Sequence, residues 1–402
     1  MKILMVNKFL YPRGGSESYM LYLGEYLEKM GHEVSYFGMY DPQNTVGNAA
    51  GQYTQNMDFH GKGLERFLYP FKILYSFEAK KKIMRVIDQF KPDIVHMNNI
   101  NFQLTPSIID GIKKKGIPLV QTVHDYQMIC PNHLLYNFDR NEACEKCLNG
   151  AYLNCVKNKC IHGSTVKSIL GALEARLYSW LKCYKKVDLY ICPSYFLESK
   201  LLSAREYYRG KTKTIHNFID KEKFSGDFSS EEPYIAFIGR LSKEKGIENL
   251  AGAAKLLPDY TFVVAGSGPD ADMLRDIPNV KLTGFLTGRQ LTELMGGAKV
   301  MLLPSVWYEN CPISILEALC MGVPVVTMNS GGMAELVKDG VTGTLINDPT
   351  PEGLADKLRQ TLGNADYYQT LKENCKREKD AILSVETYAD ILVKEYERLT
   401  AR

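Results

Sequence analysis

Residues 308–317, Tyr308-Glu309-Asn310-Cys311-Pro312-Ile313-Ser314-Ile315-Leu316-Glu317, place two carboxylates eight residues apart, directly after the apolar run Val300-Met301-Leu302-Leu303. The apolar run predicts a buried strand. Pro312 suits the first turn of a helix over Ile313 to Leu319, so Glu309 falls in the connecting loop and Glu317 on the helix. Loop amides and the positive end of a helix dipole together form an anion site suited to a diphosphate. Further along the helix, Glu317 can accept hydrogen bonds from a ribose diol, and Glu309 would face a sugar. Taken alone, the stretch also fits a buried strand followed by an amphipathic helix with two solvated glutamates. Its neighbours decide between the two.

Upstream, Ile235-Ala236-Phe237-Ile238-Gly239-Arg240-Leu241-Ser242-Lys243-Glu244-Lys245-Gly246 is a strand ending in glycine, followed by a loop with Arg240 and Lys245. The forked guanidinium and the compact ammonium can neutralise a departing diphosphate. Tyr260 to Pro269 predicts another buried strand, ending in the turn Gly266-Ser267-Gly268-Pro269. Val280 to Phe285 predicts a third, whose Gly284-Phe285-Leu286 end can present backbone to a nucleobase. All these turns lie at carboxyl ends of strands, where open parallel α/β sheets bind ligands.

Carried by these residues, 234–346 resembles the donor-binding half of a family 4 retaining glycosyltransferase of the GT-B fold. Its features recur in order: Gly239-Arg240 with Lys245, the Gly266 to Pro269 turn, the Gly284-Phe285 loop, Glu309 with Glu317, and Gly322-Val323-Pro324-Val325-Val326 with Gly331-Gly332-Met333-Ala334-Glu335. Asp339-Gly340-Val341-Thr342-Gly343 extends the likeness. The resemblance implies an α/β fold of two Rossmann-like doubly wound domains facing across a cleft. It further implies transfer of a sugar from a nucleoside diphosphate sugar to a hydroxyl with retention. In that reading Arg240 and Lys245 stabilise the leaving diphosphate with help from the amides of Cys311, Pro312 and Ile313, and Asn310 counts with them among the donor-binding residues. Glu317 holds the ribose, Glu309 the sugar, and no catalytic metal is required.

The amino half resembles the same family through weaker motifs. Lys2-Ile3-Leu4-Met5-Val6 predicts the first strand, Arg13-Gly14-Gly15 a Gly-rich loop, and Tyr19 to Met30 a helix. The resemblance puts Gly14 and Gly15 against the diphosphate, where a missing side chain lets backbone approach an anion. Lys91 to His96 and Ile117 to Asp125 predict two more buried strands, each with a histidine near its end. The resemblance makes His124, paired with Asp125, the one that hydrogen-bonds sugar or acceptor; His96 and His32 read as structural.

Boundaries are legible. Thr214 to Asp220 resembles the interdomain strand and turn, and Ser225 to Pro233 has linker composition. The expected division is an acceptor-binding domain over 1–215, a nucleotide-sugar domain over 232–380, and a last helix in 381–402 that crosses back to the first domain. Within the first lies a cysteine-rich insertion, about 128–163. Its Cys144, Cys147, Cys155 and Cys160, with Cys130 as a further candidate, predict a structural zinc knot, because closely spaced cytosolic thiols select a thiophilic metal over disulfides. His133 and His162 are spare ligands.

Composition suits a large two-domain enzyme: 402 residues, 45% hydrophobic. No apolar run has the length of a membrane-spanning helix, and the apolar start lacks a signal cleavage site, so a cytoplasmic location is expected. The net charge of +3 divides unevenly, +7 over residues 1–200 and −4 over the remainder. Cations mix with aromatics in Lys62 to Lys72, Lys80-Lys81-Lys82 and Tyr184-Lys185-Lys186, which suits peripheral contact with an anionic inner leaflet and a lipid-linked or glycan acceptor. Nucleic acid is a poor partner, since the charge is modest and no binding motif occurs. The donor expected is a UDP-sugar ahead of a GDP-sugar. Two rival readings share the nucleotide contacts: a nucleotide-sugar epimerase of the same fold, and a non-catalytic partner-binding subunit.

Overall fold

The computed structural model describes residues 1–56, 69–224, 226, 228, 230 and 232–401. Most of the basic-aromatic stretch Lys62 to Lys72, and parts of the linker over 225–231, lie outside them. The chain divides into two compact units. One comprises Met1–Leu135, Cys144–His216 and Val385–Arg402; the other, Tyr136–Ala143 and Asn217–Ser384. The last helix, Val385–Thr400, therefore groups with the first unit, whereas a hairpin inside the cysteine-rich stretch groups with the second.

In the first unit, strands β1 (Lys2–Val6), β2 (Glu33–Phe37), β3 (Ile94–Met97), β4 (Leu119–Thr122), β7 (Leu189–Cys192) and β8 (Thr212–Thr214) form a parallel sheet ordered β2-β1-β3-β4-β7-β8. The short hairpin strands between them in sequence are β5 (Tyr136–Asn137) and β6 (Glu142–Ala143). β3, β4 and β7 are buried along their whole length, as expected of strands covered by helices on both faces. Helix Gly15–Lys29 starts two residues after Arg13, earlier than Tyr19, because the Gly14-Gly15 backbone enters the helix directly. This helix packs on the terminal helix Val385–Thr400.

Side chains under that packing form one buried network. Tyr19 and Tyr388 share a hydroxyl hydrogen bond of 2.6 Å, and Tyr19 also meets Thr122 Oγ1 at 3.1 Å. His96 joins Thr122 Oγ1 at 2.7 Å through Nε2 and Tyr396 at 2.5 Å through Nδ1. Burial holds the His96 ring neutral, with its pKa lowered to about 3. Its work is structural: it ties β3 and β4 to the terminal helix.

The second unit is also a six-stranded parallel sheet, wound in a different strand order. β9 (Tyr234–Ile238), β10 (Thr261–Ala265), β11 (Val280–Gly284), β12 (Val300–Leu303), β13 (Val325–Met328) and β14 (Gly343–Ile346) form a parallel sheet ordered β11-β10-β9-β12-β13-β14. Strand order reverses between β9 and β12, so the crossover connections leave a crevice at their carboxyl ends, the place where doubly wound sheets bind ligands. An apolar core runs through Phe237, Val264, Met301, Leu302, Ile315 and Val326, all 1% exposed or less.

Candidate active site

At the ends of β9, β10 and β11, the turns are stitched by backbone hydrogen bonds. Gly239 N donates to Ala265 O at 3.0 Å, Leu241 N to Ser267 O at 3.0 Å, and Gly266 N to Gly284 O at 2.8 Å. Gly266 has φ +147, and a Cβ there would lie 1.8 Å from Gly239 O. Only glycine lets the two turns touch. Gly239, Arg240, Gly266, Gly268 and Phe285 thus come from three adjacent strand ends. Arg240 is exposed and enters no ion pair among the described residues, and Phe285 is 74% exposed.

The β9 and β12 loops are joined in the same way. Gly246, φ +74, packs so closely that a Cβ would fall 2.0 Å from Pro304 O, and Val306 N donates to Glu244 O at 3.0 Å. This closeness brings Lys245 to Glu309. Lys245 Nζ forms an ion pair with Glu309 Oε1, Ser305 Oγ donates to the same oxygen at 2.8 Å, and Nζ lies 5.2 Å from the Trp307 ring centre. Glu309 is 6% exposed. Among the described residues its Oε2 takes no hydrogen bond, so the carboxylate is held by one oxygen and presents the other.

The backbone of Glu309 is fixed from behind. Gly332 N donates to Glu309 O at 2.7 Å, and Gly331, φ +61, would place a Cβ 2.6 Å from that same oxygen. Next along, Asn217 Nδ2 donates to Cys311 O at 2.9 Å, while burial raises the Cys311 thiol to about 12. The helix runs Ile313–Cys320 with Pro312 as its N-cap, one residue beyond the expected end. One expectation needs correction. Pro312 has no N–H, so the amides offered at this helix start are those of Cys311, Ile313 and Ser314. Glu317 lies one turn in, half-buried, its pKa raised to about 7 by desolvation.

In the first unit, Gly14 is the N-cap of helix Gly15–Lys29, and both glycines are exposed. Ser16 Oγ accepts from Asn99 Nδ2 at 2.8 Å, and the buried Glu17 accepts from Asn7 Nδ2 at 3.3 Å. His124 follows β4. Its Nε2 lies 2.9 Å from Asn98 Oδ1, and because an amide oxygen only accepts, Nε2 carries the proton. Burial lowers its pKa to about 3, and Tyr19 stands edge-on at 5.0 Å, so the ring is neutral and positioned. Asp125 Oδ2 accepts from Asn101 Nδ2 at 2.8 Å, and its Oδ1 from Gln127 N at 2.9 Å. His133, a spare ligand in the sequence reading, instead stacks on Phe102 at 4.6 Å with Asn101 beside its Nδ1.

Cys130, Cys147, Cys155 and Cys160 are all buried, and each lies within electrostatic range of the other three. Cys144 is less buried and acts on Cys147. The Cys155 thiol is hydrogen-bonded to Cys160, which raises its pKa together with burial. No group of three or more His, Cys, Asp or Glu among the described residues stands in a metal-holding arrangement.

Ser305, Trp307, Asn217, Asn98 and the supporting role of Gly331 are not legible as site features in the sequence. Ser305 lies four residues before Glu309, a position a loop reading could have flagged. Asn217 and Asn98 are distant in sequence from the groups they hold, and only folding brings them near.

Two doubly wound six-stranded parallel sheets, one carrying a cationic, carboxylate-bearing crevice at its switch point, define the GT-B class of sugar-transferring enzymes. The chain belongs to glycosyltransferase family 4: the model described as "Glycosyltransferase Family 4" matches residues 13–223, more than half of it, and "Glycosyl transferases group 1" matches 218–378. It is accordingly a glycosyltransferase that uses nucleotide-sugar donors. An uncharacterized 42.6 kDa protein in the cps region of Klebsiella pneumoniae is 26% identical over 353 residues, covering 84% of this chain and 87% of its own. An uncharacterized glycosyltransferase of Methanocaldococcus jannaschii is 26% identical over 407 residues, covering 94% and 93%. Among solved structures, HepE of Anabaena in complex with UDP and glucose aligns over 99% of this chain and 100% of its own, with a TM-score of 0.69 at 18% identity.

Proposed function

We propose that the protein is a retaining glycosyltransferase that moves a sugar from a nucleoside diphosphate sugar to a hydroxyl of a glycan or lipid-linked acceptor in surface polysaccharide or glycoconjugate synthesis. The observation that carries this reading is the Lys245–Glu309 pair, set between the β9 and β12 loops beside a helix N-terminus. Lys245 and Arg240 neutralise the diphosphate, the amides of Cys311 and Ile313 add to them, and Glu317 receives the ribose hydroxyls. Glu309 Oε2 receives sugar hydroxyls while Oε1 stays with Lys245 and Ser305. The bond from the anomeric carbon to the phosphate oxygen breaks, the acceptor oxygen bonds to the same face, and the departing phosphate takes the acceptor's proton. His124, being neutral, serves as a hydrogen-bonding group and not as an acid. A UDP-sugar is favoured as donor, supported by the UDP complex of the HepE neighbour.

The test is nucleoside diphosphate release across a panel of UDP-, GDP- and ADP-sugars, with and without a crude membrane-lipid acceptor. Release from one donor, enhanced by lipid and with an α-linked product, is expected. Isomerised donor formed without acceptor would instead identify an epimerase, and tight nucleotide binding without release a partner-binding subunit.

For the thiol nest we propose one structural zinc held by Cys130, Cys147, Cys155 and Cys160, with Cys130 in the place first expected of Cys144. Binding would exchange the Cys155–Cys160 thiol hydrogen bond for metal–thiolate bonds and release protons. Atomic absorption on protein purified without added metal should read one zinc per chain, and Cys130→Ser should lose it while Cys144→Ser keeps it. Zinc-free, fully folded protein would leave the four thiols as packing groups.

A further inference from the structure

Helix Thr165–Trp180 buries Ser168, Gly171, Ala172, Glu174 and Tyr178 along one side. Its other side carries Val166, Ile169, Leu173, Leu177 and Trp180, spaced three or four residues apart, which puts them on a single stripe. The stripe faces water: Val166 is 77% exposed, Ile169 43%, Leu173 53% and Trp180 75%. Leu173, Leu177 and Trp180, with Arg176 and Ser179, line an open trough of about 440 Å³. Leu153, 72% exposed, sits on the short helix Leu153–Lys157 packed against this one.

Charge identifies what covers such a face. From Lys146 to Val187 the chain carries eight cations, Lys146, Lys157, Lys159, Lys167, Arg176, Lys182, Lys185 and Lys186, and a single carboxylate, Glu174. Glu174 is 2% exposed, so it screens nothing at the surface. Among the described residues only Lys186 of the eight is in an ion pair, with Asp110 at 2.5 Å. A second copy of this chain would meet that charge with like charge. A phosphate-covered bilayer neutralises it, while the interfacial depth of lipid accepts Leu, Ile and an exposed Trp.

We infer that the Thr165–Trp180 helix is a membrane-docking element that lies in the headgroup plane of an anionic bilayer. It rests on surface chemistry alone and stands whatever acceptor the enzyme uses.

The test is co-sedimentation of the full chain with vesicles of phosphatidylcholine with or without phosphatidylglycerol at low and high salt. Binding confined to the anionic vesicles and weakened by salt is expected. Because the chain has two tryptophans, Trp307→Phe leaves Trp180 as the reporter, and its emission should shift to the blue on those vesicles. Leu173→Ser with Trp180→Ser, both at exposed positions, should cut vesicle partitioning about tenfold or more while donor hydrolysis in solution stays at the wild-type rate. Lys157→Glu with Lys159→Glu should reduce it on anionic vesicles. Equal binding to neutral vesicles, no blue shift, or a dimer in solution lost in the Leu173→Ser, Trp180→Ser variant would each overturn the assignment.

Discussion

Lys245→Ala lowers turnover with donor by about 10²- to 10³-fold, the loss typical of removing one donor group from developing charge in a water-poor site. The ammonium is paired with Glu309 Oε1, and the proposed mechanism gives it a second task, neutralising the leaving diphosphate. Glu309→Ala should lose activity on the same scale. Because the two side chains act as one unit, the double variant should be hardly slower than either single, a non-additivity that independent surface charges would not produce. Circular dichroism and thermal melting should show both variants folded. Wild-type turnover by folded Lys245→Ala would remove the assignment.

Glu317→Ala raises the donor KM about 10- to 100-fold, with a smaller change in kcat, since hydrogen bonds to a charged group contribute roughly 1.5–3 kcal/mol each. The effect carries a pH signature. Desolvation lifts the Glu317 carboxyl to about 7, so near neutrality the donor-free enzyme holds a mixture of acid and carboxylate. With ribose hydroxyls donating to the carboxylate, as proposed, donor affinity should climb as pH rises through 7 and level off above it. Glu317→Gln should flatten that profile. Stability runs the other way: a carboxyl whose folded pKa lies above its unfolded value keeps its proton longer when folded, so its contribution declines as pH rises from the unfolded value of about 4.5 through 7. Above pH 7, Glu317→Gln should therefore melt higher than the wild type while binding donor less well. A KM profile unchanged by the substitution would place the ribose elsewhere.

The strand ends and turns of the second unit were legible because their parts are local. Each strand, glycine turn and helix start is encoded within about a dozen residues, and the glycines stand where backbone must touch backbone, as at Gly266 over Gly239 O. Pro312 shows the limit of reading by motif: its helix-starting role was readable, but counting it among the amide donors ignored its missing N–H. The grouping of the cysteines was hidden for a different reason. Sequence spacing favoured Cys144, yet the thiols that gather are Cys147, Cys155, Cys160 and the more distant Cys130, because burial in three dimensions selects them. The docking helix was also hidden. Its apolar periodicity resembles that of any core-facing helix, and exposure alone distinguishes them.

By itself the sequence determined the two parallel sheets, their glycine-lined strand ends and the identities of Arg240, Lys245, Glu309 and Glu317, since hydrophobic periodicity and turn chemistry are properties of neighbouring residues. Tertiary structure alone decided which distant groups hold them: Ser305 and Lys245 on one oxygen of Glu309, Gly331 and Gly332 beneath its backbone, Asn217 on Cys311, Asn98 on His124. It also decided the charge states. The raised pKa of Glu317 and the neutrality of His124 follow from desolvation, a property of the folded surroundings that no local pattern of residues carries.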